Sequence, residues 1–151
     1  MELERYEKWE PVEGITTPVS HALIRDDEEG LSITLIFSAM VNGLDTDLQI
    51  QFGFVAAYTV HEEFVHPWNA YDSEPLPKLE GKWKGSSFPL LIVKNSVWLG
   101  SFAEHQLIHF QGNTHYRFVT SEDTVDVLCN SVPEAFWVKP QPRVTAYDRL
   151  C

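Results

Sequence analysis

The chain has 151 residues, with 22 Asp and Glu against 11 Lys and Arg, for a formal charge of −11. A chain of that length fits one domain and buries most of its unfolded surface without help from a metal or a disulfide. Its apolar share of 44% is too high for a disordered chain. The acidic balance excludes a nucleic-acid binder, which needs clustered Lys and Arg, and no apolar run is long enough for a membrane span or a signal core.

Residues 1–18 mix charges with Pro11, Gly14 and Pro18 and read as an N-terminal arm or a short helix that docks late. From Val19 the pattern turns strand-like. His21–Arg25 leads into the acidic block Asp26-Asp27-Glu28-Glu29, then Gly30, a turn composition. In the next run Ile33, Leu35, Phe37 and Ala39 fall on one face at period two. Asn42-Gly43 suits a type I′ turn, since both residues tolerate positive φ. A third run, Leu48 to Val60, places Leu48, Ile50, Phe52 and Phe54 on one face. These three runs predict an antiparallel meander.

Residues 67–89 carry Pro67, Pro75, Pro77 and Pro89, which exclude a long helix or a central strand. Trp68, Tyr71, Leu76, Leu79 and Trp83 make this an apolar loop rather than a solvated linker. Leu90–Val93 resumes regular structure. Asn95 or Ser96 then caps a short helix bearing Trp98, Leu99 and Phe102, which Gly100 weakens by about 1 kcal/mol relative to Ala. His115–Thr120 and Thr124–Cys129 alternate around Ser121-Glu122-Asp123 and predict a closing hairpin. The expected fold is a single α+β domain over 19–138, mainly antiparallel sheet with one short helix, followed by a tail over 139–151.

Several of these segments resemble small bacterial proteins of unassigned function. They are His21-Ala22-Leu23-Ile24, Gly30-Leu31-Ser32-Ile33-Thr34-Leu35, Phe52, Ser96-Val97-Trp98-Leu99, His115–Thr120 and Val125-Asp126-Val127-Leu128. Some proteins of that appearance look like immunity proteins of bacterial toxin systems. Over roughly 19–130 the resemblance implies a partner-binding role, while the Pro-rich loop departs from it.

Candidate chemistry is thin. His61 and His66 are five apart, which puts them on opposite faces of a strand and about 140° apart on a helix, so neither geometry chelates one ion. His105 and His109 are four apart and, with His115, form the one alternative metal set. On a strand, however, the first two stand about 13 Å apart. Arg117 and Asp126 face each other across the closing hairpin as an exposed pair of about 0–1 kcal/mol. Cys129, in an apolar run, reads as an inert thiol, and pairing it with the terminal Cys151 makes a poor disulfide framework, so a reduced cytoplasmic protein is expected. No cofactor motif is present.

The aromatic surplus is the most informative feature, because Trp and Tyr concentrate at binding hot spots. The leading expectation is therefore a non-enzymatic interaction protein, in the manner of an immunity-type inhibitor. It would meet a basic protein through Trp68, Tyr71 and Trp83 and the acidic Asp26, Asp27, Glu28 and Glu29. An enzyme using His61, Glu63, His105, His109 and His115 is the alternative, and a homodimer through an uncovered sheet edge is the third reading.

Overall fold

The computed structural model describes residues 3–62, 74–103, 105–106 and 112–140. Among them the chain forms nine strands: β1 (Arg5–Lys8), β2 (Val19–Asp27), β3 (Gly30–Phe37), β4 (Asp47–Gln51), β5 (Val55–Glu62), β6 (Leu90–Lys94), β7 (Thr114–Val119), β8 (Asp123–Cys129) and β9 (Glu134–Val138). A single turn of α-helix, α1 (Val97–Gly100), and a 3-10 turn (Gly81–Trp83) complete the described elements. The strands form two antiparallel sheets, ordered β2-β3-β4-β9 and β1-β6-β7-β8-β5. This is the mainly antiparallel α+β fold that the alternation predicts.

The period-two pattern explains how the two sheets share a core. Ile33, Leu35, Leu48 and Ile50 from one sheet and Tyr116, Phe118, Val125 and Val127 from the other join one buried cluster. Phe52 sits between them, its ring 6.2 Å from Tyr116 and 6.1 Å from Phe118, both edge-on. Burying a side chain of that size contributes about 1.5–3 kcal/mol.

The meander β2-β3-β4 forms as the sequence predicts. Asp27 pairs with Gly30 across a two-residue turn in which Gly30 takes φ 107°. A Cβ there would lie 2.9 Å from the Phe52 carbonyl oxygen, so both the conformation and the close backbone approach call for glycine. Asn42 and Gly43 have φ 51° and 78°, and Val41 bridges Leu44 around them, in keeping with the type I′ signal.

Three features differ from the sequence pattern. The run from Leu48 to Val60 is not one strand. It breaks at Gly53, and β4 and β5 enter different sheets. Phe54 therefore loses parity with Phe52 and is 75% exposed. The segment before β2 docks as a strand and not as a short helix: β1 pairs with β6 in register Arg5↔Lys94 to Lys8↔Leu91, and Trp9 and Ile15 enter the core. The Trp9 ring packs at a 60° tilt, 4.9 Å from Tyr116, a contact between residues too distant in sequence for local pattern to reveal. Finally, α1 stops at Gly100, one turn after its cap, so Phe102 lies beyond the helix. Among the described residues, no helix is long and apolar enough to cross a membrane.

Candidate functional site

Two constellations of polar side chains stand out, one buried and one open.

The buried one lies on the face of the five-stranded sheet turned away from the core. In β7, Tyr116 and Phe118 point into the core, so His115 and Arg117 alternate to the other face. The hairpin register sets Arg117 opposite Asp126, and Arg117 Nε donates to Asp126 Oδ1 at 2.8 Å. The pairing follows the sequence pattern, but its setting does not. Asp126 is fully buried and Arg117 only 6% exposed, so the pair is an interior one and not the solvated pair expected. What covers it includes the N-terminal segment. Glu4, also buried, accepts from Tyr6 Oη at 2.9 Å and from the Val97 amide at 2.7 Å, and approaches Arg117 Nη1 at 3.7 Å. The guanidinium also rests 5.3 Å from the Tyr6 ring centre. Burial alone would pull Arg117 toward deprotonation. The charge and hydrogen bond of Asp126 outweigh it and hold the guanidinium above its ordinary pKa.

His115 extends the network. Its Nε2 lies 2.5 Å from Asp126 Oδ1, and because a carboxylate only accepts, Nε2 is the donor. In the neutral ring Nδ1 is then an acceptor, 2.7 Å from Ser96 Oγ. Trp98 closes over the imidazole edge-on at 5.4 Å. The proton order Ser96 to His115 to Asp126 is that of an activated nucleophile. Three observations fit a structural clamp better. Ser96 Oγ already accepts the Leu99 amide as the cap of α1. The neighbouring Val97 amide donates to the Glu4 carboxylate. His115 is 1% exposed, the setting of a packed core side chain.

The open constellation is a groove of about 450 Å³ between the tip of the β2–β3 hairpin and the start of β5. Asp26, Asp27 and Glu28 line one side, and Phe54, Val55 and Tyr58 the other. Tyr58 Oη donates to Asp26 Oδ2 at 3.2 Å and ties the two sides together. Desolvation and that bond both raise the phenol pKa. Asp27 accepts the Glu29 amide at 2.9 Å and the Arg25 Nε at 2.6 Å. Chiefly through the amide, its carboxyl stays below the usual range and remains ionised. The groove thus combines fixed negative charge with an exposed aromatic ring. Glu29 is exposed on the same turn but does not line the groove.

The other residues singled out from sequence are scattered. Trp83 is half-buried in the 3-10 turn, packed against the core, and lines a separate groove with Met40 and Thr16. Trp68, Tyr71, Glu63, His66 and His109 lie outside the described residues. His105 is exposed beyond α1, and His61 on β5 hydrogen-bonds Thr59 Oγ1. Among the described residues no three His, Cys, Asp or Glu side chains are grouped to hold a metal. Of the alternative set His105, His109 and His115, the last is committed to Ser96 and Asp126. Cys129 is buried, and desolvation pushes its thiol up to about 11, which suppresses the reactive thiolate.

Sequence reasoning missed Glu4, the bond of Ser96 to His115, and Phe54 as a groove residue. Gly53 beside Phe54 is the one local signal for the last, as a glycine inside an apolar run marks a break. No family model, curated protein or solved structure matches the chain.

Proposed function

We propose that the chain is a non-enzymatic interaction protein that holds a cationic segment of a basic protein partner in the groove beside the β2–β3 hairpin. The observation that carries this reading is the meeting of three carboxylates, Asp26, Glu28 and the Arg25-paired Asp27, with the open ring of Phe54 in one groove. Carboxylates select Lys or Arg, and the ring offers a face for a guanidinium or ammonium, worth about 0.5–1 kcal/mol at an exposed site. The net charge of −11 adds long-range steering toward a basic surface. The resemblance to immunity proteins supports the same role, with the partner a toxin-like basic protein held inactive in the reduced cytoplasm.

The test separates this groove from acidity in general. A Lys- and Arg-bearing peptide is titrated against the wild-type chain, against Asp26→Asn/Asp27→Asn/Glu28→Gln, and against Glu10→Gln/Glu13→Gln/Glu134→Gln. Both triple variants remove three exposed charges. The reading requires the first variant to weaken binding about tenfold and the second to leave it near wild type. Equal losses would mean nonspecific attraction to an acidic body.

A further inference from the structure

The groove opens onto an unusual strand edge. β5 is the last strand of its sheet, and among the described residues no strand pairs with its outer side. Natural sheets guard such edges with Lys, Pro, bulges or cover, because unpaired amides and carbonyls template association. The other edges carry such residues. β1 bears Arg5 and Lys8, β2 bears Arg25, and β9 runs into Lys139-Pro140. β5 reads Val-Ala-Ala-Tyr-Thr-Val-His-Glu, with neither Lys nor Pro. Like β2, it has a register shift at its start, here between Val55 and Ala57 beside the groove, and its one charged residue is the terminal Glu62.

We infer that β5 receives the partner's cationic segment as an added strand, so that backbone pairing supplies the hold and the groove supplies the selection. This inference rests on the groove reading above and specifies the form in which the ligand is bound. Eight residues of β5 offer about 27 Å of ladder, enough for a segment of similar length. Alternate side chains of an added strand point to one face. A sequence with Lys or Arg at every second position would therefore direct one row toward Asp26, Asp27 and Glu28, with a ring contact at Phe54. A second copy of this chain is the poorer occupant, since pairing β5 with β5 brings two acidic hairpins and two bodies of charge −11 together.

The experiment uses the full chain and two peptides of one sequence, an end-capped Arg-Val octamer and the same octamer with every amide N-methylated. Both carry the same charge, but only the first can add a strand. Affinity is read by fluorescence anisotropy, and hydrogen exchange is followed at residues 55–62. The expected result is binding of the first peptide, at least tenfold weaker binding of the second, and slowed exchange confined to β5 and the hairpin tip. If the N-methylated peptide binds equally and the Asp26→Asn/Asp27→Asn/Glu28→Gln variant still weakens it, strand addition is overturned while the groove reading stands. If neither peptide responds to those three substitutions, both are overturned. A concentration-dependent dimer seen by light scattering, dissociated by neither peptide, would assign the edge to self-pairing and overturn the inference.

Discussion

Replacing Asp126 with Ala tests the buried network most severely. The substitution leaves the Arg117 guanidinium, 6% exposed, without its nearest counter-ion, and strips the acceptor from His115 Nε2. Glu4, at 3.7 Å from Arg117 Nη1, is the remaining compensation and already serves Tyr6 and Val97. One Arg117 nitrogen, Nη2, is buried without a hydrogen-bond partner even in the native network, so there is little slack. Removing one member of a buried pair costs about 3–5 kcal/mol, a large part of the ~5–15 kcal/mol that holds a domain together. For a chain of this length each kcal/mol moves the midpoint by about 2–4 °C, so Tm should fall by about 6–20 °C. Urea unfolding followed by Trp fluorescence reads the same loss at constant temperature. A loss under about 1 kcal/mol would show that the pair is solvated, and would refute the buried clamp. The paired substitution Asp126→Leu/Arg117→Met should recover only part of the loss, because it removes the stranded guanidinium but leaves Glu4 without that cation and His115 Nε2 without its acceptor.

Ser96→Ala should cost about 0.5–2 kcal/mol through the lost α1 cap, and the wild-type chain should resist labelling by a fluorophosphonate; stoichiometric labelling at Ser96 would contradict the clamp. Gly30→Ala should destabilise by about 1–3 kcal/mol, because φ 107° and the Phe52 carbonyl both oppose a Cβ; calorimetry showing no change would remove the argument for that turn. Cys129 gives a pH signature. Its folded pKa of about 11 is raised above the ordinary 9.0, so its contribution to stability is intact below pH 9 and is lost as pH rises toward 11. In a Cys151→Ser background, a disulfide reagent at pH 8 should modify Cys129 only upon unfolding, and prompt modification of the native chain would show the thiol to be accessible.

How much of this was legible in the sequence follows from which interactions are local. Alternation in Ile33–Phe37 and in His115–Cys129, the Asn42-Gly43 pair and the Ser96 cap are all properties of neighbouring residues, and the elements appear where those signals fall. The switch of sheets at Gly53 is not local. Apart from Gly53, the alternating and then apolar run fits one long strand equally well, until the second sheet draws Val55 onward to β8. The network is half legible for the same reason. Hairpin register alone pairs Arg117 with Asp126, but only the long-range docking of Glu4 and α1 decides that the pair is dry. The acidic block was visible as composition. Its role as a groove wall needed Phe54 beside it, and Phe54 turned outward only because the strand broke.

The account stands or falls on where a basic ligand touches the molecule. Titrating the isotope-labelled chain with the Arg-Val octamer and following backbone chemical shifts tests this directly. The predicted result is saturable shifts concentrated at 26–30 and 53–58. Shifts spread evenly over the acidic surface, or centred on Glu80–Trp83, would contradict it.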